Sequence, residues 1–327
     1  MSILRSTLII LSAFAGNLLF GDSVKVACVG DSITIGLGLN SPTKAYPSYL
    51  SILLGKNFEV KNFGNSGKTA GDFPSEKNRG RWYGDTQEHK RAIEFKPDIF
   101  ICNLGINDTG AWWNPNEFKS GYENLLKQWK QSNEKAKFFS WGLLGPDFRG
   151  AKGVDNYPGN VFSPIFEYSN QDHGTSINRK AAEELIKKIA ISNKMQLFDT
   201  YTPLAKHPEW YKDGLHPTEE GAKRIAEITF ATLVKNLNIP QKEAASIVKN
   251  NTMIIHNPHE EGILLDPIKV ISAKNNKVVF SFDKNTVLFP GETLSIDITD
   301  KRDEVKINSN SCYYPGNATD LKLKSQK

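Results

Sequence analysis

Between Val24 and Leu237, short apolar runs alternate with longer stretches of helical spacing. Val24 to Val29, Phe58 to Phe63, Ile99 to Leu104, Lys137 to Leu144 and Met195 to Asp199 are rich in β-branched and aromatic residues and predict five strands. Helices are predicted over 45–54, closed by Gly55, and over 86–96. A third runs from Pro115 to Glu134, with apolar residues at Phe118, Tyr122, Leu125, Leu126 and Trp129. Two more run from Ile177 to Asn193 and from an N-cap at Thr218 to Leu237. Five alternations of strand and helix predict an α/β fold, a parallel sheet with helices on both faces.

Beyond Pro240 the period shortens to two. The segments 253–256, 268–271, 277–282, 286–289 and 293–298 are separated by Asn, Asp, Pro and Gly. They predict a small β domain, a sandwich or a single sheet, over residues 239–327. At the other end, Arg5 precedes a broken apolar stretch from Leu8 to Phe20. That stretch is short for a membrane span, so residues 1–21 read as a signal peptide and the chain as secreted or periplasmic, without stable membrane insertion. The main domain is then 22–238.

Composition narrows the classes. With 39% hydrophobic and 24% charged residues the chain is ordinary globular protein. The net charge of +5 is scattered, with no basic block of the nucleic-acid kind. The three cysteines form no CxxC pair; Cys28 and Cys102 sit inside predicted strands as small hydrophobes. No metal-ligand spacing is present, and neither a metal nor an organic cofactor is called for.

Chemistry gathers where predicted strands end. Gly30-Asp31-Ser32-Ile33-Thr34 follows the first strand, which would deliver a hydroxyl to the carboxyl edge of the sheet. Asn62-Phe63-Gly64-Asn65-Ser66-Gly67 follows the second, Gly105-Ile106-Asn107-Asp108 the third, and Asp213-Gly214-Leu215-His216 precedes the last helix. A serine needs a base, and His216 is the candidate, with Asp213 placed to orient its ring. His89, His173, His207, His256 and His259 read as surface or packing residues.

In order and spacing these four blocks resemble the SGNH hydrolases, the GDSL esterase family, over residues 24–237. The resemblance implies a flavodoxin-like α/β/α sandwich on a five-stranded parallel sheet, with the first strand in the middle. It implies Ser32, Asp213 and His216 as catalytic residues. It also implies an oxyanion hole of the Ser32 N–H, the Gly67 N–H and the Asn107 amide, with Gly64 the alternative glycine. Trp112-Trp113-Asn114 resembles the carbohydrate O-acetylesterase branch, which implies an acetylated carbohydrate as substrate. Trp112, Trp113 and Asp31 are the expected substrate contacts. Trp82, Tyr83, Trp141, Trp210 and Tyr211 are expected along the rim of the site. As motif positions Asp31 and Asp108 are expected to hydrogen-bond loop backbone and hold the site in shape; as an acid pair for glycoside hydrolysis they are disfavoured. A lipase-like or lysophospholipase-like acyl hydrolase and a carbohydrate-binding protein on the same scaffold are the alternatives. The 69–85 stretch is expected to cover the site, and the 145–174 stretch to be an insertion near it.

Overall fold

The computed structural model describes residues 23–74, 80–109, 113–142, 175–249, 252–266, 268–272, 278–297 and 305–308. The expected signal peptide, the 145–174 insertion, Trp112, His173 and Cys312 lie outside them.

The predicted strands form β1 (Val24–Gly30), β2 (Phe58–Gly64), β3 (Ile99–Asn103), β4 (Lys137–Trp141) and β5 (Gln196–Phe198). They pair in parallel in the order β2-β1-β3-β4-β5. Thus β1 is interior, flanked on both sides, while the geometric middle belongs to β3. The helices are α1 (Ser32–Ile35), α2 (Tyr46–Leu54), α3 (Gln87–Phe95), α4 (Pro115–Ser132), α5 (Thr175–Asn193), α6 (Tyr201–Leu204) and α7 (Glu219–Leu237). Thr218 caps α7, its hydroxyl accepting the Gly221 N–H.

Alternation along each strand divides the interior in two. Val26, Cys28, Ile99, Ile101 and Phe139 pack with α2 and α7 on one face. Ala27, Val29, Phe100, Cys102 and Phe138 pack with α4 and α5 on the other, where Trp129 stacks on Phe100 at 5.2 Å. Cys28 and Cys102 therefore point to opposite faces, which forbids a disulfide between them. Both are free thiols, and burial pushes each up to about 12.

The C-terminal region adds β6 (Ala245–Lys249), β7 (Thr252–His256), β8 (Ile263–Leu264), β9 (Lys269–Ser272), β10 (Val278–Ser281), β11 (Val287–Leu288), β12 (Thr293–Asp297) and β13 (Val305–Asn308). Rather than a single sheet, they make three small antiparallel sheets, β12-β7-β6, β11-β8 and β10-β9-β13. The strands β6, β8 and β13 have no counterpart in the predicted pattern. β8 and β13 are short and pair with strands distant in sequence, which the local period does not reveal, whereas β6 pairs with the adjacent β7, Lys249 opposite Thr252.

This region rests on α2 and α7. Leu264, Val287 and Phe289 belong to the same buried cluster as Leu50, Leu53 and Leu233. Phe289 meets Tyr49 edge-on at 6.1 Å, and the Gly262 N–H donates to the Leu53 carbonyl at 2.8 Å. Ion pairs Lys223–Glu292 at 2.7 Å and Lys235–Asp266 at 2.5 Å flank the contact. Among the described residues, no helix is long and apolar enough to cross a membrane.

Candidate active site

The carboxyl edge of the sheet collects three of the four sequence blocks. At Gly30 the backbone of β1 passes so close to its neighbours that a Cβ would fall 2.1 Å from Thr34 Oγ1 and 2.7 Å from the Asn103 carbonyl. Only glycine fits there. Asp31 then caps α1, its Oδ1 accepting the Ile33 N–H at 3.0 Å, and Ser32 opens the helix. Asn62 ties this turn to β2: its Nδ2 donates to the Thr34 carbonyl at 2.7 Å, and its Oδ1 accepts the Gly64 N–H at 2.9 Å.

The fourth block reaches the same place on a small hairpin. Thr218 N–H donates to the Trp210 carbonyl at 2.8 Å, and Lys212 N–H to the His216 carbonyl at 2.9 Å. Inside it, Asp213 Oδ1 accepts the N–H groups of Leu215 at 3.0 Å and His216 at 2.7 Å. This turn is why an aspartate three residues before the histidine can face its ring. Asp213 Oδ2 lies 2.6 Å from His216 Nδ1, and His216 Nε2 lies 2.9 Å from Ser32 Oγ. Ser32 and His216 are 184 residues apart in sequence. Because Nδ1 faces a carboxylate, it carries the proton, which leaves Nε2 to accept from the hydroxyl.

Burial pushes Asp213 up, but the His216 ring and the His216 and Leu215 N–H groups outweigh it and bring the carboxyl down to about 2. Asp213 is therefore anionic at neutral pH. Its contribution to stability is complete above the ordinary value of 3.8 and is lost as pH falls through about 2.

Asn107 sits on the turn after β3, half-buried, and spans two loops. Its Nδ2 donates to the Lys68 carbonyl at 3.0 Å and lies 3.4 Å from Asp31 Oδ2. It forms no turn with Thr109, whose hydroxyl donates to the Ile106 carbonyl. Gly67 stands on the neighbouring loop at a φ of 73°, with open space where a Cβ would be, so the backbone conformation is what requires glycine. The Gly64 N–H is held by Asn62, whereas the Gly67 N–H has no partner among the described residues.

Several expected substrate contacts are placed elsewhere. Asp31 is fully buried, its oxygens facing Ile33 and Asn107, so it shapes the site from below and cannot reach a substrate. Trp113 is not among these: it is only partly buried, with its ring against Phe118 at 5.1 Å. Tyr83 and Trp141 are core residues, Tyr83 donating to the Phe63 carbonyl at 2.6 Å. Tyr211 is buried, and Trp210 is half-buried beneath the His207 ring, stacked at 3.7 Å. His89 is a core residue, accepting the Trp129 indole N–H at Nδ1 and facing Gln128 with Nε2. Asn62 and Thr34 lie in the sequence blocks but were given no role there, and Asn103 was passed over; its signal was a polar residue at the buried end of an apolar strand.

Desolvation raises both Asp31 and Asp108 to about 7, against hydrogen bonds from backbone N–H groups. Each carboxyl binds its proton more tightly in the folded chain, so the stability it contributes is full below the ordinary 3.8 and lost as pH rises through about 7. Asp31→Asn is accordingly expected to gain in Tm over wild type as pH rises across that window. A Tm difference independent of pH would contradict the assignment.

The sequence model of the GDSL-like Lipase/Acylhydrolase family matches residues 28–224, more than half of the chain and all four blocks. The chain belongs to this family. An acetylxylan esterase of Xylanibacter ruminicola is 32% identical over 227 residues, which cover 65% of this chain and 43% of that protein. The chain thus matches less than half the length of that relative. The M. smegmatis aryl esterase, 21% identical, superimposes with a TM-score of 0.50 over 66% of this chain and 100% of its own, a likeness of fold. Est24, a carbohydrate acetylesterase from Sinorhizobium meliloti, reaches 20% identity and a TM-score of 0.48 over 65% of this chain and 100% of its own. The carboxyl edge of the parallel sheet, where His216 meets Ser32 and Asn107 lies beside Asp31 and Lys68, is the candidate active site.

Proposed function

We propose that this chain is a serine esterase that removes acetyl groups from carbohydrates, acting outside the cytoplasm. The observation that carries the reading is the hydrogen-bonded row from Ser32 Oγ through His216 to Asp213. His216 Nε2 takes the proton of Ser32 as Oγ attacks the ester carbonyl. The oxyanion that forms is received by the N–H groups of Ser32 and Gly67 and by the Asn107 amide, where it displaces the long Asp31 contact. The intermediate collapses to an acetyl-serine, and the sugar hydroxyl leaves with the proton held by His216. Water, deprotonated by the same nitrogen, then releases acetate and restores Ser32. Asp213 stays anionic and stabilises the imidazolium.

The identity with an acetylxylan esterase supports an acetylated polysaccharide as substrate. One observation favours longer acyl chains: Ile35 and Leu37, just past Ser32, are 42% and 37% exposed. Hydrolysis of p-nitrophenyl acetate, butyrate and octanoate separates the two. The expected result is the highest kcat/KM on acetate, with acetate released from acetylated xylan. Preference for octanoate would move the reading to a lipase-like hydrolase, and binding of the glycan without turnover would leave a carbohydrate-binding protein. Export is tested by the mature N-terminus of the secreted protein, expected after the first 21 residues.

A further inference from the structure

We propose that Asp108 is a positioning residue for the oxyanion hole, holding the Gly67 loop and the Asn107 amide in register with Ser32. The inference rests on the esterase reading above. Asp108 is fully buried and its two oxygens are used separately: Oδ1 accepts the Gly71 N–H at 2.7 Å and Oδ2 the Ala70 N–H at 3.1 Å. The preceding residue, Asn107, donates to the Lys68 carbonyl at 3.0 Å. Two adjacent side chains of one turn, Ile106–Thr109, thus grip the chain just after Gly67 at three peptide groups.

Within 67–71 Thr69 is paired by backbone, its N–H donating to the Arg81 carbonyl and its carbonyl accepting the Tyr83 N–H at 2.9 Å each, so the N–H groups of Ala70 and Gly71 depend on a side chain. The rest of the loop is braced from other directions. Trp82 Nε1 donates to the Ala70 carbonyl at 3.1 Å, and Thr69 Oγ1 to the Gly71 carbonyl at 2.9 Å. α4 presses on it at Gly121, where a Cβ would lie 2.4 Å from the Asp72 nitrogen. The N–H groups of Ala70 and Gly71 are held by Asp108 alone among the described residues. A carboxyl group suits this place because each of its two oxygens accepts one N–H. An amide would accept one of them and turn its own NH2 toward the other.

A residue that merely stabilises the fold would lower Tm and leave turnover per folded molecule intact. The test therefore compares Asp108→Ala and Asp108→Asn with Leu233→Ala, a buried site on α7 across the sheet, all measured below their Tm on p-nitrophenyl acetate. Loss of oxyanion donors predicts a kcat about 100-fold lower for Asp108→Ala with KM nearly unchanged. Asp108→Asn is expected to lose about 10-fold, and Leu233→Ala to keep near-wild-type kcat despite a lower Tm. Amide exchange gives a readout that needs no turnover. Ala70 and Gly71 are expected to lose protection in Asp108→Asn while β3 keeps it. Wild-type kcat in both Asp108 variants, or unchanged protection at Ala70 and Gly71, would overturn the proposal. An inactive wild type would remove the esterase reading instead, with the exchange measurement still testing the clamp.

Discussion

Ser32→Ala is expected to lower kcat on p-nitrophenyl acetate by roughly 10⁴- to 10⁶-fold while leaving the Tm within a few degrees of wild type. In the proposed mechanism the hydroxyl oxygen forms the covalent bond to the acyl group, and His216 Nε2, 2.9 Å from it, takes its proton. His216→Ala should cost about as much, and the double variant no more than either alone, because the two groups act in one step. The folded chain loses little in Ser32→Ala. Ser32 helps hold α1 through its carbonyl, which accepts the Gly36 and Leu37 N–H groups, and alanine keeps that carbonyl. Steady-state rates and thermal melts on the three variants check this, and more than a tenth of wild-type activity in Ser32→Ala would remove the covalent mechanism.

Deleting residues 240–327 is expected to leave an insoluble or unfolded product. The deletion strips Leu264, Val287 and Phe289 from the cluster they share with α2 and α7. Burying a side chain of this size contributes about 1.5–3 kcal/mol, so three of them approach the whole stability of a typical domain. It also removes Glu292 and Asp266, the partners of Lys223 and Lys235 on α7. A gentler variant reads the same contact: Phe289→Ala should cost about 3–5 kcal/mol, since the ring is 7% exposed and lies between Tyr49 and Lys223. Soluble yield and Tm report both. A truncated protein that is soluble and as stable as the whole would mean that the C-terminal strands are an appendage, and retention on acetylated xylan would then decide whether they bind glycan.

Alternating apolar runs were enough to place β1 to β5 and the helices α2 to α5 and α7, though not the one-turn α1 and α6, because each buries a face set by its own period and stops at its own capping or turn residue. The four blocks were equally legible as sequence, since their turns are local: Asp213 accepts the His216 N–H, and Asp31 caps the helix that Ser32 opens. The rim aromatics were not. Tyr83, Trp141 and Tyr211 follow the same strand-end and loop positions as a substrate contact would, and only the packing around them shows that they are interior.

What the sequence determined by itself is therefore the chemistry on offer and the order of elements that carry it: local period, turn residues and motif spacing act within a few residues. The tertiary structure decided what those residues meet across the chain. It carried His216 to Ser32 over 184 positions, put Asp31 and Asp108 under the loops and out of reach of substrate, and laid the C-terminal strands on α2 and α7. Those outcomes depend on which faces pack together and which buried polar atoms find partners, and both are properties of the assembled core.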